Sequence, residues 1–352
     1  MTAEREHVEE VLPEGDGELE TGPSFLARLG ASAGVQWVER YSLLVLLVLT
    51  IAFFGFIWTQ TASTYMQLAN FQNIVRSQTV LAVLALGAIV PLVCGQFDLS
   101  IGSVAGMASV FTAAAYARWH VSLPVGMLVG VAIGTVAGVV NGAVVTRLGV
   151  SSFIATLGSA AVITGIVNWY TQGISIVQGI PSQLTDFGGG NWLGVPSPFY
   201  VVVLAALLVY YLLEHTPYGR NLHAVGSNVE SARLVGLDIP RLVFLSFVVS
   251  GATAGLGGVL LVADSGAGNP SVGSTFTLTA LTAAFLGATS VKPGRFNVVG
   301  TLLAIFFLAA AITGITFAGV QDYINDLFTG FALVLAVAIS VMLGRRRSGG
   351  AR

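Results

Sequence analysis

Ten apolar runs of 16 to 23 residues fill most of this chain, with short polar breaks between them. They fall near 41–58, 78–95, 99–117, 123–145, 152–169, 198–213, 242–263, 275–290, 297–316 and 324–343. A bilayer core needs about 20 apolar residues per helix. Charged residues make up 9% of the chain, against roughly 25% in soluble domains, too few to cover a soluble globule of this size. The fold class is therefore all-α, a polytopic transmembrane helical bundle of about ten spans. Two runs, 198–213 and 275–290, are short enough to be tilted or re-entrant.

Basic residues orient the bundle. With an inside N-terminus and ten crossings, Arg5, Arg28, Arg40, Arg147, Arg220, Arg233, Arg241, Lys292, Arg295, Arg345, Arg346, Arg347 and Arg352 face the cytoplasm. Only Arg76 and Arg118 face outward, which is the positive-inside pattern. If 275–290 did not cross, the triplet at 345–347 would face outward, so both termini are expected to be cytoplasmic. Eight of the 17 acidic residues lie in the first 20 positions. The domain reading is thus an acidic, disordered cytoplasmic tail over 1–40, a transmembrane domain over 41–343 with a cytoplasmic loop at 214–241, and a basic cytoplasmic tail at 344–352. The tail does not read as a signal peptide, because its first apolar run begins only near Tyr41. The single cysteine, Cys94, excludes an internal disulfide and reads as a small apolar filler.

Gly126, Gly130, Gly134, Gly138 and Gly142 recur at a strict spacing of four in the fourth run. Small residues so spaced form one stripe and let helix backbones approach closely. The stripe reads as a tightly packed central helix of the bundle. Its rival is the general glycine richness of a chain with 43 glycines.

Motifs for chemistry are missing. The lone lysine, Lys292, precedes Pro293, so no Walker-type phosphate loop is present. Asp98, Glu214, Asp264, Asp322 and Asp326 fall at run ends or in loops, as do the histidines, away from the depth at which ion-coupled carriers place ionisable groups. No metal site or nucleophile motif is found. An uphill transporter of this composition would draw energy from another polypeptide.

The loop 214–241 is the polar exception. Ser227-Asn228-Val229-Glu230 fits a capping box, with Ser227 and Glu230 bonding reciprocally. Val229, Ala232 and Val235 recur at spacing three, and Gly236 suits a left-handed stop. A helix of about two turns is too short to stand alone. It packs either on this protein's own spans or against a partner.

At these residues the chain resembles a known family. ESARLVG at 230–236 follows the Glu-Ala-Ala-three-residues-Gly motif of bacterial ABC-importer permeases, with Ser231 in the second place. TPYGRNLHAVGSNVESARLVGLDIPR at 216–241 is similar to the cytoplasmic loop of the ribose/xylose/autoinducer-2 branch. So are CGQFDLSIGSVAG at 94–106, NGAVVTRLGVSSFIATLG at 141–158 and GATS at 287–290. The blocks keep the family's order, and the resemblance runs from about 70 to 343. It implies that the loop is a coupling helix docked in a groove of an ATPase, with Ser227, Asn228, Glu230, Ala232, Arg233 and Gly236 in that contact. It also implies a multi-pass protein of the bacterial plasma (inner) membrane that pairs with a second permease copy or homologue. Two ATPase subunits would carry the ATP and Mg, and an extracellular or periplasmic sugar-binding protein would deliver the cargo. This chain itself would hold no cofactor and bind no nucleic acid. A solitary ion-coupled or facilitative carrier is the alternative, and a membrane scaffold or sensor a third reading.

A path for a monosaccharide needs hydroxyl partners. Asn141, Thr156, Ser159, Thr164 and Asn168 are available within runs, where Ser and Thr also bond their own backbone. Asp98 can cap a helix starting at Leu99 or serve as a polar contact in the path. The outer segment 170–198 carries Tyr170 and Trp192, as interfacial anchors or as part of a docking face for a binding protein.

Overall fold

The computed structural model describes residues 33–321 and 323–349. The chain separates into a unit Met1–Val38 and a unit Glu39–Arg352. Of the first, only the helical residues from Ala33 onward are described. The acidic residues at positions 4–20 therefore lie outside the described residues, as do Asp322, residues 350–352 and the side chains of Asp326, Arg345, Arg346 and Arg347.

In order the elements are α1 (Ala33–Ala52), a π-helical turn (Phe53–Ile57), α2 (Thr59–Tyr65), α3 (Leu68–Ser77), α4 (Thr79–Val93), α5 (Ile101–Ala117), α6 (Leu123–Arg147) and α7 (Ser152–Thr171). Then come α8 (Ser182–Gly189), strands β1 (Asn191–Trp192) and β2 (Val195–Pro196), α9 (Ser197–His215), α10 (Pro217–Ser227) and α11 (Val229–Leu234). The chain ends with α12 (Ile239–Ser265), α13 (Thr275–Gly287), α14 (Val298–Phe317) and α15 (Tyr323–Gly349).

Every apolar run lies on a helix, but the runs are not equal crossings. Among the described residues, six stretches are long and apolar enough to span: Arg40–Ile57, α6, α7, α9, α12 and α14. A seventh exists only if α3 and α4, bent by 43°, count as one. The remaining apolar helices, Ile101–Ala117, Thr275–Gly287 and Leu327–Ile339, are shorter. At 1.5 Å per residue α13 is ~20 Å long, against ~30 Å of hydrocarbon. The run 275–290 is thus a short helix closed by tight turns at Thr289 and Ser290. Length and composition support six or seven crossings, fewer than the ten expected.

The centre of the bundle is α4, not the glycine-striped α6. Every residue from Thr79 to Val93 is buried, which suits a helix that is apolar all round. Pro91 sits in its last turn, where the chain turns at Gly95 and the Pro91 carbonyl accepts from the N–H groups of Cys94 and Gln96. In contrast α6 buries only its glycine face with Ala137 and Asn141, while Leu128, Val136 and Val140 on its other sides are exposed.

That glycine face meets α12 at backbone distance. A Cβ on Gly134 would run into the Gly251 carbonyl, and one on Gly138 into the Phe247 carbonyl. Reciprocally, a Cβ on Gly251 would strike Gly134 and one on Gly255 would strike Gly130 and Val131. Gly126 instead faces Tyr116 of α5, Gly130 faces both Thr112 of α5 and Val259 of α12, and Gly142 faces Phe244 of α12. Without a hydrophobic drive between helices in lipid, such close contact supplies the dispersion energy that holds them together.

The segment 170–198 folds into α8 and a β1–β2 hairpin, pairing Asn191 with Pro196 and Trp192 with Val195. Its two turn residues, Leu193 and Gly194, both have positive φ (51° and 80°), as a two-residue type I′ turn requires. Trp192 is exposed between Phe187 and Tyr200, whereas Tyr170 stacks on Phe111 with the Arg118 guanidinium over its ring.

The contact of α6 with α12 sets a test. Gly138→Leu should destabilise the protein by ~1–3 kcal/mol, the usual cost of overpacking, and lower its melting temperature in detergent. Gly165→Leu on α7, where nothing lies within 4 Å, should melt with the wild type. Equal melting of the two variants would refute the close approach.

Candidate functional site

Two polar features stand out from the apolar body. One is buried between α4 and α5. The 94–100 turn carries Asp98, whose Oδ1 accepts from the Ser100 N–H (3.0 Å) and hydroxyl (2.6 Å). The other oxygen, Oδ2, accepts from the Ser250 hydroxyl of α12 at 2.7 Å. Asn141 of α6 donates its amide to Ser100 Oγ at 2.8 Å. From the far side, Thr156 of α7 accepts from the Leu99 N–H (3.0 Å) and donates to its own helix at Ser152 and to the Phe97 carbonyl. The Ser152 hydroxyl accepts from the Phe97 N–H at 3.1 Å. Asp98, Ser100, Asn141, Ser152, Thr156 and Ser250 are all buried. Three helices are thus tied to one turn: α12 through the Asp98 carboxyl group, α6 through the Ser100 hydroxyl and α7 through the backbone of Phe97 and Leu99. The bonding partners of the carboxyl are all neutral.

Asp98 does not cap a helix at Leu99. The helix begins at Ile101, and Asp98 instead braces the turn before it and binds across to α12. Of the residues expected along a path, Asp98, Asn141 and Thr156 come together here. Asn168 and Thr164 do not: both are exposed farther along α7, and Thr164 bonds its own helix at Ala160. Ser159 keeps a buried hydroxyl with no partner. Sequence reasoning misses Ser100 and Ser250, although Ser246 and Ser250, one turn apart on an apolar helix, are a visible polar stripe. Ser246 lies 3.8 Å from the buried Cys94 thiol.

The second feature is the polar segment after α9. Thr216 caps α10 by accepting from the Gly219 N–H at 3.2 Å. Leu222 and Val225 anchor α10 in the core, and Tyr218 donates to the Leu242 carbonyl of α12. Gly226 lies against the Val93 carbonyl at the foot of α4, leaving no room for a Cβ. Between α10, α4 and the 294–296 turn is a cavity of about 740 Å³, with Leu92, Gly95, Ser227 and Phe296 in its walls. Asp98, Asn141, Thr156, Ser159 and Asn168 are not among its lining residues.

Next comes α11, six residues long. Its cap is Asn228, whose Oδ1 accepts from the Ser231 N–H at 2.9 Å. The box expected between Ser227 and Glu230 does not form. Ser227 closes α10 by donating to the Ala224 carbonyl, and Glu230 turns to Arg233 at 3.4 Å. The C-terminus is a complete Schellman stop: the Gly236 N–H donates to Arg233 O and the Leu237 N–H to Ala232 O. Gly236 holds φ at +81°. Asp238 then caps α12 through the Arg241 N–H.

The amphipathic pattern expected from Val229, Ala232 and Val235 survives only at its middle residue. Ala232 is 3% exposed and pins the helix to the body. Val229 is exposed, and Val235 (75%) and Leu234 (88%) are bare, because the helix stops at Leu234 and the Schellman turn swings the chain away from the body. A short, doubly capped helix therefore presents apolar side chains outward, beside an exposed Glu230–Arg233 pair.

Known proteins are similar to this chain in sequence. The family described as branched-chain amino acid transport system / permease component matches residues 70–337. The ribose import permease protein RbsC of Escherichia coli (strain K12) is 30% identical over 305 residues, covering 86% of this chain and 93% of the relative. RbsC of Bacillus subtilis (strain 168) is 30% identical over 286 residues, 81% of this chain and 87% of its own length. The autoinducer 2 import system permease protein LsrC of Photorhabdus luminescens is 28% identical over 283 residues, 80% and 84% of the two chains. No solved structure matches the chain.

The carboxyl node orders three substitutions. Asp98→Ala should cost most, since it strands the Ser100 and Ser250 donors at ~1–3 kcal/mol. Ser250→Ala removes one donor and should cost less. Asp98→Asn, which keeps one carbonyl oxygen beside hydroxyls free to rotate, should fall below Asp98→Ala. Melting temperatures of the three in detergent check the order, and an Asp98→Ala protein as stable as wild type would show the node to be dispensable.

Proposed function

The chain belongs to the family of permease components of branched-chain amino acid transport systems, and we propose that it is the membrane-spanning permease subunit of an ATP-binding-cassette importer for a monosaccharide or similar small polar solute. The relatives named for ribose and autoinducer 2 import align over at least four-fifths of this chain, which supports carrying over the class of cargo. Translocation is by alternating access, with no chemistry in this subunit. A partner ATPase binds ATP and Mg and hydrolyses the nucleotide. A second copy or homologue of this chain completes the pore, and a separate binding protein delivers the solute.

The protein sits in a bacterial inner membrane. Counting the bent α3–α4 pair and the three short apolar helices as further crossings gives ten with both ends cytoplasmic, the topology that the distribution of basic residues favours over the six or seven set by helix length. That alternation gathers Arg147, Arg220, Arg233, Arg241, Lys292 and Arg295 on one side, in keeping with the positive-inside rule. The 170–198 segment then faces outward, toward the binding protein.

The observation that carries the coupling role is α11. Apolar side chains at Leu234 and Val235, bare on a polar segment, mark a surface waiting for a partner. Ser227, Asn228, Ala232 and Gly236 shape and hold this helix, while Glu230 and Arg233 supply its polar rim. A displacement there is not absorbed locally. Ala232 is seated in the body, α10 is wedged at Gly226 against Val93, and Val93 leads directly into the turn that carries Asp98. Pressure from an ATPase thus reaches the foot of α4 and the buried node through contiguous contacts.

Reconstitution with the partner ATPase tests this reading. Leu234→Asp and Gly236→Val should each lower ATP-driven uptake by about an order of magnitude, ~1.4 kcal/mol of lost coupling, with membrane insertion unchanged. Valine at Gly236 is strained in the left-handed region by ~1–2 kcal/mol, so Leu234→Asp is the cleaner probe. Normal uptake in both variants would refute the coupling surface. Solute flux through the chain alone, without ATP, would establish a solitary carrier instead.

A further inference from the structure

A second pocket, of about 220 Å³, lies at the end of α9 and is lined by Leu213, Glu214, Arg220, His223, Lys292 and Arg295. Three permanent cations therefore face one carboxylate. Glu214 is already taken by Lys292, with which it forms a short ion pair. Among the described residues no carboxylate pairs with Arg220 or Arg295. Arg220 also occupies the first turn of α10, where the helix dipole disfavours a cation. His223, half-buried between these groups, is held below its usual pKa by burial and by Arg295 and Lys292, against the pull of Glu214. The pocket is thus an assembled positive site with no internal counter-charge for two of its arginines.

Its surroundings point to the source of the missing anion. Leu207, Tyr211 and Glu214 succeed one another at helical spacing on α9. Leu207 and Tyr211 are exposed, as are Leu204 and Leu208 beside them. An apolar strip along a membrane-crossing helix thus ends in a cationic pocket. That is the shape of an acyl chain below a negatively charged headgroup, and basic pockets between transmembrane helices take such headgroups. We propose that this pocket binds the phosphate of an anionic phospholipid, with Arg220 and Arg295 as its principal ligands and the acyl chains lying along α9. The pocket shares His223 and Arg295 with the larger cavity beside Ser227 but is lined by no residue of α11.

The test uses the full chain purified in a neutral detergent, with phosphatidylglycerol and phosphatidylcholine of the same acyl chains as probes. Native mass spectrometry counts the lipids retained. Phosphatidylglycerol should be retained in preference to phosphatidylcholine. Arg220→Gln and Arg295→Gln should each weaken that retention about fivefold, and the double variant should abolish the preference. Arg118→Gln, whose side chain lies over Tyr170, should leave it intact. If the double variant cannot be purified, the two single variants carry the test. Preference unchanged in the variants would overturn the proposal. So would equal retention of the two lipids by the wild type, or displacement of phosphatidylglycerol by millimolar inorganic phosphate, which would make the pocket a site for the free ion. Loss of the partner ATPase with lipid retention unaltered would make it a protein-docking face, and that too would overturn it.

Discussion

The approach of α6 to α12 is the contact on which the rest of this protein depends. Glycines on both helices let backbone meet backbone, Gly134 against Gly251 and Gly138 against Phe247. One turn farther along α6 stands Asn141, and one residue before Gly251 stands Ser250. Any bulkier contact would hold these two polar side chains apart. Brought together, they close on the 98–100 turn from two sides and satisfy its carboxyl and hydroxyl groups. The buried polar node is thus a consequence of helix packing that only glycine permits.

The same logic separates the legible parts of the sequence from the rest. Apolar run length locates the apolar helices, because the bilayer imposes one scale on them, but α2 and α3, between the runs 41–58 and 78–95, are not marked by it. Local stops are equally clear: Gly236 at +81° ends α11 as its position in ESARLVG suggests. Crossing lengths are less so. A run of apolar residues does not say where a helix breaks: α3 and α4 bend by 43° between Ser77 and Thr79, and α13 ends at Gly287. Nor does a stripe of glycines say which helix is central. The stripe marks one face of α6, whereas α4, buried on all sides, carries a single glycine at Gly87.

The polar positions divide along the same line. Thr156 and Asn168 look alike in an apolar run, yet one is buried at the node and the other is exposed. About three helical turns separate them, and only tertiary contact with the 94–100 turn decides which matters. The capping box fails for a comparable reason. Ser227 and Asn228 are both good cap residues, and the sequence offers no way to choose between them. The choice falls to α10, which extends through Ser227 because Val225 and Gly226 are fitted against the core and the foot of α4. With Ser227 consumed, the cap passes to Asn228, and Glu230 is released to the surface.

That release has a mechanical meaning. A helix of six residues has almost no stability of its own, yet α11 is fixed at both ends, by Asn228 before it and by the Schellman turn after it, and is seated through Ala232. The Ser231 N–H at one end and the Ala232 and Arg233 carbonyls at the other are bonded locally, and the exposed Leu234 and Val235 side chains take no part in those bonds. Leu234 and Val235 are therefore exposed and apolar without a structural cause within this chain, which is what makes α11 the basis of the proposed coupling surface. Rigid mounting also means that force applied to those side chains moves the helix as a body rather than unwinding it. Gly226 is wedged against the Val93 carbonyl at the foot of α4, which is buried on every side, so under the proposed coupling α4 is the element that responds. A response there has to be shared with the helices around it, through the turn that Asp98 holds.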